Sequence, residues 1–312
     1  MKIAVLYGGT SKEREVSLST GQGIIEALRQ LGHDVLAIDF NPSELINLIE
    51  QIKSVDLVFI GLHGKQGEDG TVQGMLDLLE VPYVGSGVLS SSLAMDKAKA
   101  KQVFSMHGIP IANSQTYYHY ESLNDICTKI KRDFNLPFVI KPNQEGSTLG
   151  LTVLEEWDQL EEAVQLGFAH DSAIIVETFI TGRELTVAVL GNKGQEKALP
   201  IIEIVPKSKY YDYESKYAEG GSEHIVPAEI DQDLTKQIQD QAVLAHQALG
   251  CETYSRVDFI LNKKESPIIL EVNTLPGMTP TSLYPDAAGA INMTYEDMIN
   301  QFIQLTLQKY KQ

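Results

Sequence analysis

The sequence predicts an α/β protein built from more than one domain. Between Met1 and about Gly85, short apolar runs typical of strands alternate with segments whose apolar residues recur at helical spacing. Strands separated by helices in this way form parallel βαβ units, and such sheets bind ligands at the carboxyl ends of their strands. Beyond this region the order of elements becomes mixed, and 312 residues are enough for two or three hydrophobic cores.

The N-terminal elements follow one another closely. Strands are predicted at residues 3–6, 35–39 and 57–61, and helices at 16–31 and 45–52. Gly32 closes the first helix, because glycine is favoured just after a helix C-terminus. The turns at 8–11 and 62–64 follow the first and third strands, so they are predicted to lie at the ligand-binding edge of the sheet.

The remaining elements form a less regular series. We predict a lysine-rich helix at 95–107, strands at 138–141, 149–154, 173–177, 185–190 and 198–205, a helix at 231–249, and a last helix from 295 to about 310. A polar, tyrosine-rich loop runs to about residue 222, and a loop of this length is usually a functional lid or disordered. The domains are predicted to span residues 1–86, 87–183 and 184–312.

Composition and charge limit the classes of function. Apolar residues at 43% and charged residues at 21% are typical of soluble globular proteins. A net charge of -17 argues against general binding to nucleic acid or anionic membranes, although a few lysines focused in one cleft could still bind a nucleotide. Cys127 and Cys251 are too few for a disulfide framework and lack metal-ligand spacing. No apolar run approaches the ~20 residues of a membrane span, so we expect a cytoplasmic protein.

Two strand-like runs near the C-terminus carry the sharpest chemical pattern. Side chains alternate along a strand, so Arg256 and Asp258 share one face, as do Glu271 and Asn273. The short connection between the runs favours an antiparallel hairpin, which gathers these four side chains on one patch. Hard oxygen ligands of this kind hold Mg²⁺, which then bridges substrate phosphates. A half-buried strand pair with a solvated polar face is the alternative.

A second group of residues has the character of a phosphate site. Lys141 is at the end of a predicted strand, and the loop 145–150 after it contains glycine, serine and threonine, so an ammonium and backbone N–H groups could meet phosphate oxygens. Lys97 opens a helix, and Glu177 with Glu184 could accept hydrogen bonds from a nucleotide. Each feature alone also suits an ordinary turn or a solvated helix face. Their order along the chain is more specific than any one of them.

At this point the chain resembles the ATP-grasp enzymes and, within them, the D-alanine:D-alanine ligase family. The matching segments are GGTSKEREVS at 8–17, LHGKQGEDG at 62–70, YVGSG at 83–87, MDK at 95–97, YDYESKY at 211–217 and EVNTLPGMT at 271–279. The resemblance implies that a two-part ATP-grasp fold, with central and C-terminal α+β domains, follows the N-terminal domain. Its ATP cleft lies between those two domains. Thr178 stands where many relatives carry a lysine, which bears on a detail of adenine contact.

The same resemblance implies an activity and its cofactors. The carboxylate of one D-alanine attacks the γ-phosphate of ATP, and the amine of a second D-alanine attacks the resulting acyl phosphate, which serves peptidoglycan precursor synthesis. The residues matching the family's Mg²⁺ ligands, which also accept Mn²⁺, are Asp258, Glu271 and Asn273. Those matching its ATP-binding positions are Lys97, Lys141, Ser147, Glu177, Ile180, Glu184 and Lys216.

Further matches concern the amino-acid substrates. Arg256 and the backbone N–H of Gly277 match the groups that stabilise the tetrahedral intermediate. Glu13 matches the partner of the first substrate's ammonium, His63 lies beside that substrate's carboxylate position, and Ser282 with Leu283 matches the site of the second. In the family, the positions of Glu13, Ser147 and Tyr217 form a hydrogen-bonded clasp that excludes water. The family also suggests a homodimer.

The sequence offers three alternative functions. A D-alanine:D-lactate ligase would share nearly all these motifs, and phenylalanine at the position of Tyr217 goes with ester formation in the resembling family. A dinucleotide-dependent oxidoreductase is disfavoured because residues 8–13 lack Gly-x-Gly-x-x-Gly. An inactive ATP-binding regulator is disfavoured because every expected chemical group is present.

Overall fold

The computed structural model describes residues 1–146, 148–207, 221–279 and 281–311. The N-terminal elements are β1 (Lys2–Gly8), α1 (Arg14–Gln30), β2 (Asp34–Phe40), α2 (Leu45–Lys53), β3 (Leu57–Ile60) and α3 (Thr71–Leu78). Their strands form a parallel sheet in the order β2-β1-β3, which confirms the predicted βαβ arrangement. Residues 3–6 of the central strand are fully buried, as their uninterrupted apolar run requires.

Close packing of α1 on this sheet depends on one small residue. A Cβ at Gly21 would overlap the Tyr7 side chain on β1, so the helix approaches the strand at a distance that only glycine permits. This approach brings the start of α1 and the turn after β1 to the carboxyl edge of the sheet. Glu13 lies directly before α1 at that edge.

The predicted helix at 95–107 is α5 (Lys97–Met106), and a further helix that was not predicted, α4 (Val88–Met95), precedes it. Asp96 interrupts them because its backbone is extended, with φ −84° and ψ 96°, and its side chain accepts a hydrogen bond from the Lys99 backbone N–H at 2.9 Å. This is an N-cap, which starts a new helix with Lys97 as its first residue.

The central part of the chain forms an antiparallel sheet. Its elements are β4 (Ser114–Tyr118), α6 (Leu123–Asp133), β5 (Phe138–Pro142), β6 (Thr152–Leu154), α7 (Leu160–Phe168) and β7 (Ala173–Thr178), with strand order β4-β7-β5-β6. Strand β6 is shorter than the predicted 149–154. Thr148 and Gly150 adopt φ values of 64° and 69°, and left-handed backbone cannot continue a strand.

The C-terminal part forms the largest of the described sheets. Its elements are β8 (Gly182–Leu190), β9 (Lys197–Ala198), β10 (Ile202–Pro206), β11 (Ser222–Ile225), α8 (Gln232–Ala248), β12 (Tyr254–Asn262), β13 (Pro267–Asn273), α9 (Leu283–Gly289) and α10 (Tyr295–Lys309). The strand order is β11-β10-β8-β12-β13, with β9 on β8. The strand predicted at 198–205 is divided into β9 and β10, and Pro200, which has no N–H to donate to a ladder, lies between them.

Three separate cores hold these parts. The first joins the N-terminal sheet to α9 and α10, and the second lies under the C-terminal sheet with apolar residues of α4, α5 and α8. The third fills the central sheet against α6 and α7. Among the described residues, no helix combines the length and apolarity needed to cross a bilayer.

Candidate active site

The hairpin of β12 and β13 has the predicted antiparallel register. Arg256 pairs with Asn273, and Asp258 pairs with Glu271. Arg256 donates to both carboxylate oxygens of Asp258, from Nε at 2.9 Å and Nη2 at 2.8 Å, and Asn273 Nδ2 donates to Oδ2 at 3.0 Å. The four polar side chains therefore share one patch, while Val257 on the opposite face is fully buried.

Thr186 on β8 is a further member of this patch. It pairs with Asp258 across the β8–β12 ladder, and its hydroxyl donates to Asp258 Oδ1 at 2.5 Å. Sequence reasoning did not single out this residue, because its contact depends on which strand lies beside β12. The hydrogen bond fixes the Asp258 carboxylate from the side opposite Asn273.

Lys97 connects the hairpin to the loop after β5. Its ammonium donates to the Glu145 carbonyl oxygen at 2.8 Å and lies 3.4 Å from Glu271 Oε2. The side chain is nearly buried because Lys97 is at the first position of α5, directly against this loop. The residues predicted to bind phosphate and those predicted to bind the metal ion are therefore adjacent.

Glu177, at the end of β7, lies between two lysines. Lys141 Nζ is 3.0 Å from its Oε2, and Lys101 Nζ is 3.1 Å from its Oε1. Burial alone would raise the pKa of Glu177, but the two ammonium groups outweigh burial and lower it. Sequence reasoning missed Lys101, although it lies four residues after Lys97 and therefore on the same face of α5.

Backbone groups position the candidate phosphate loop. The Ala98 N–H donates to Asn143 Oδ1 at 2.9 Å, and the Gln144 N–H donates to Asp171 Oδ2 at 2.7 Å. Gln144 Nε2 also donates to Asp96 Oδ2 at 3.0 Å, which ties the loop to the N-cap of α5.

Glu13 and His63 line the N-terminal side. Glu13 is 8% exposed, and its Oε2 lies 2.7 Å from where a Cβ on Gly64 would be, so the glycine, with φ +71°, leaves room for the carboxylate. His63 Nδ1 lies 3.1 Å from the Leu275 carbonyl oxygen, and Nε2 lies 2.9 Å from the Thr20 hydroxyl. A carbonyl only accepts, so Nδ1 carries a proton in this arrangement.

Glu68 is a partly buried neighbour of these groups. Its Oε1 lies 3.3 Å from His63 Nδ1. Burial raises the pKa of the Glu68 carboxyl, the hydrogen bond with His63 opposes the change, and the charge of Glu13 adds to it.

The segment after β13 returns to the N-terminal domain. The Met278 N–H donates to Thr20 Oγ1 at 3.3 Å, and Ser282 Oγ accepts from the Thr279 N–H at 3.0 Å. A Cβ on Gly277 would lie 3.0 Å from Ser282 Oγ, so these two residues are close. Ser282 precedes α9, whose first residue, Leu283, is buried.

The other predicted site residues occupy different positions. Ile180 lies in the connection between β7 and β8, and Glu184 is on β8 opposite Ile204 and Ile260. Ser147, Lys216 and Tyr217 lie outside the described residues, as does most of the predicted tyrosine-rich loop.

The candidate magnesium ligands suit the ion in chemical type. Within the described part of the chain, no group of three or more His, Cys, Asp or Glu side chains forms a ready metal cluster. The patch instead offers two carboxylates in direct cross-strand register and one amide, Asp258, Glu271 and Asn273. These oxygen donors fit Mg²⁺ binding that is completed by substrate phosphates and water.

Comparison with known proteins identifies the family. The family model described as "D-ala D-ala ligase C-terminus" matches residues 103–304. The model described as "D-ala D-ala ligase N-terminus" matches residues 39–86. The chain belongs to the D-alanine–D-alanine ligase family. A D-alanine–D-alanine ligase of Halalkalibacterium halodurans is 58% identical, covering 99% of this chain and 100% of the relative. One of Carboxydothermus hydrogenoformans is 44% identical, with 99% of each covered.

Solved structures agree with this assignment. A D-alanine–D-alanine ligase of Bacillus anthracis complexed with ATP is 33% identical with a TM-score of 0.85, covering 100% of this chain and 99% of that one. VanG D-Ala:D-Ser ligase of Enterococcus faecalis is 34% identical with a TM-score of 0.86, covering 98% and 99%. The fold of this ligase is therefore ATP-grasp with an N-terminal α/β domain.

Proposed function

We propose that this protein joins two molecules of D-alanine to D-alanyl-D-alanine at the expense of ATP, for peptidoglycan precursor synthesis. The observation that carries the proposal is the hairpin register, which sets Asp258 opposite Glu271 with Lys97 3.4 Å from Glu271. Two carboxylates with a nearby buried ammonium form a site for a metal-bound polyphosphate, and the family supplies the acceptor chemistry. The enzyme is proposed to act as a cytoplasmic homodimer.

The reaction proceeds in two steps. A carboxylate oxygen of the first D-alanine attacks the γ-phosphorus of ATP, and the bond to the β–γ bridging oxygen breaks, giving acyl phosphate and ADP. The amine of the second D-alanine attacks the acyl carbon, loses a proton, and phosphate departs. Phosphorylation is needed because a free carboxylate is a poor electrophile with a poor leaving group.

Residues around the nucleotide neutralise charge. Asp258, Glu271 and Asn273 would hold Mg²⁺, or Mn²⁺ in its place, which neutralises phosphate charge when bound. Lys97, Lys141 and Lys216 are proposed to bind phosphate oxygens, with Ser147 in the loop after β5. Glu177, Ile180 and Glu184 are proposed to contact the adenosine portion. These roles place ATP between the central sheet and the sheet of β8 to β13.

Residues around the amino acids orient them and exclude water. Glu13 is proposed to bind the first ammonium, and its 8% exposure favours a strong ionic contact. His63 orients the first carboxylate, Ser282 and Leu283 bind the second substrate, and Arg256 with the Gly277 N–H stabilises the tetrahedral oxyanion. The proposed clasp of Glu13, Ser147 and Tyr217 protects the acyl phosphate from hydrolysis.

The proposal is tested by ADP release in saturating Mg²⁺ and ATP with D-alanine or L-alanine. Release that depends on the D isomer, with D-alanyl-D-alanine identified by mass spectrometry, is the expected result. Equal release with both isomers, or none with either, would contradict it.

The likeness to VanG makes a D-alanine:D-serine ligase the second candidate. A competition assay separates these ligase activities. D-alanine, D-serine and D-lactate are supplied together in equal concentrations, and the products are analysed from pH 6 to 9. We expect the dipeptide of D-alanine to dominate. A dominant D-alanyl-D-serine or D-alanyl-D-lactate product would transfer the assignment to the corresponding ligase.

A further inference from the structure

Lys101 is a buried cation to which the proposed reaction assigns no role. Its side chain is 3% exposed, and its ammonium lies 3.1 Å from Glu177 Oε1. Among the described residues, neither of those two atoms has an aligned hydrogen bond, so the contact is an ion pair. A charged side chain is rarely buried to this degree without a strong reason, because its desolvation is costly.

The reason lies in the competition for Lys141. Lys141 is 12% exposed, more than Lys101 or Glu177, and its ammonium is 3.0 Å from Glu177 Oε2. A buried carboxylate with one lysine forms a neutral pair, which attracts a phosphate poorly. With two lysines, the cluster of Lys101, Glu177 and Lys141 carries a net positive charge when all three are ionised.

The causes of the pKa shift of Lys101 agree with this arrangement. Burial lowers the pKa of the Lys101 ammonium, Glu177 opposes that change, and the neighbouring Lys141 adds to it. Glu177 and, to a smaller extent, Glu271 therefore favour the charged form of Lys101. In return, Lys101 binds one of the two carboxylate oxygens, which leaves Glu177 a weaker partner for Lys141.

We propose that Lys101 is a positioning residue for nucleotide phosphates: by holding Oε1 of Glu177, it leaves the Lys141 ammonium available to phosphate oxygens. This inference rests on the proposed function, in which ATP occupies the cleft beside Lys141. Lys101 does not touch the nucleotide in this account. It acts through Glu177.

The test compares adenosine, ADP and ATP binding by calorimetry in Lys101→Met. Losing a charge-assisted contact at Lys141 should weaken ADP and ATP binding by about tenfold to a hundredfold. Adenosine binding should weaken by a clearly smaller factor, because adenosine has no phosphate and meets this cluster only through Glu177. Lys99→Met, which removes an exposed lysine from the same helix, is the matched control and should bind all three ligands like wild type.

A double-mutant cycle shows whether Lys101 acts through Glu177. In a Glu177→Gln background the carboxylate no longer competes for Lys141, so adding Lys101→Met should change ADP affinity by less than about threefold. An equally large loss in both backgrounds would overturn the proposal. So would an equal loss for adenosine, ADP and ATP, which is the signature of a merely structural role.

A variant that retains the charge keeps the outcomes distinct. Lys101→Arg retains the charge and should restore most of the ADP affinity, and it replaces Lys101→Met if that variant does not fold. A failed rescue by a folded Lys101→Arg counts against the proposal. If wild type binds no ATP, the proposed function itself fails. If wild type makes the dipeptide but Lys101→Met binds nucleotides like Lys99→Met, only the role of Lys101 fails.

Discussion

Asp258 receives hydrogen bonds from three side chains at once. Arg256, Asn273 and Thr186 approach it from different directions within 2.5 to 3.0 Å. A carboxylate restrained in this way keeps one rotamer, and a metal ligand needs that restraint to meet the geometry of the ion. Glu271 lies opposite Asp258 in the ladder, and the Lys97 ammonium is 3.4 Å from its Oε2.

Glu271→Gln should weaken use of Mg²⁺ and ATP far more than it weakens D-alanine binding. The substitution keeps the size of the side chain but removes one anionic ligand, so the Mg²⁺ concentration for half-maximal ADP release should rise on the order of tenfold or more. A Mg²⁺ titration of ADP release measures this effect. Glu265→Gln, in the exposed turn of the same hairpin, is the control and should match wild type. Wild-type behaviour of Glu271→Gln would remove Glu271 from the metal site.

Arg256→Ala should lower turnover by about 10²-fold, because it removes a donor aimed at the developing oxyanion. Its folded state should persist, since Arg256 lies on the polar face of the hairpin and Asp258 keeps Asn273 and Thr186 as partners. Steady-state kinetics and thermal unfolding measure the two effects. Arg132→Ala, which removes an exposed arginine paired with Asp133, should change neither. Full activity, or failure to fold, would show that Arg256 is structural.

At the scale of elements, a bulge sets the face on which Glu271 lies. Asp258 pairs with Glu271, but Phe259 pairs with Ile269, so Leu270 is an extra residue on β13. In an unbroken strand Ile269 would share a face with Glu271. The bulge shifts the alternation by one, so Ile269 is buried on the core face while Glu271 stays on the polar patch.

A buried histidine on helix α8 predicts that the folded state becomes less stable at acid pH. His246 is buried on this helix with Nδ1 2.7 Å from Ser255 Oγ. Burial lowers the pKa of His246 from 6.5 to about 4, although Glu196 opposes the change. The unfolded chain therefore binds a proton that the folded protein does not, and stability is complete above pH 6.5 and falls toward pH 4.

Urea unfolding between pH 6.5 and 5 should reveal this effect. Wild type should lose up to about 1.4 kcal/mol of unfolding free energy per pH unit more than His246→Gln, which cannot take up the proton. Only the change in unfolding free energy per pH unit is compared between the variants, because the substitution also changes packing. His107→Gln, at an exposed histidine, should leave the wild-type slope unchanged. Parallel slopes in wild type and His246→Gln would contradict the prediction.

At the scale of the whole molecule, the last helix holds the first core together. Phe302 on α10 stacks on Tyr254 of β12 with ring centroids 4.2 Å apart, and it also contacts Tyr284 of α9 and Phe59 of β3. One side chain thus connects the N-terminal sheet to the C-terminal sheet. The third core shares no buried residue with this cluster among the described residues.

Phe302→Ala should destabilise the first core by about 3–5 kcal/mol, because a buried aromatic side chain leaves a cavity. Far-UV circular dichroism should report a lower urea midpoint. Trp157, the one tryptophan of the chain, packs on Phe138 in the central part, so its fluorescence transition should shift much less. Ile46→Ala, at a residue 86% exposed, is the control and should leave both midpoints in place. Equal shifts of both signals would show that the cores unfold as one unit.

The sequence by itself determined the features that depend on neighbouring residues. Alternation placed Arg256 and Asp258 on one face, apolar runs predicted β1 and β3, and Lys141 stood out as a lysine at the end of a predicted strand. Their faces and helix or strand positions follow from the local periods of the chain. The start of α5 at Asp96 is also local in origin, since an N-cap depends on the next three residues.

Only the tertiary structure decided which of these features meet. The hydroxyl of Thr186 reaches Asp258 because β8 lies beside β12, and Lys101 reaches Glu177 because α5 packs against the end of β7. Such contacts join residues more than 70 positions apart, and no local period encodes them. They form when apolar burial brings the sheets and helices together, which aligns polar groups that the sequence leaves far apart.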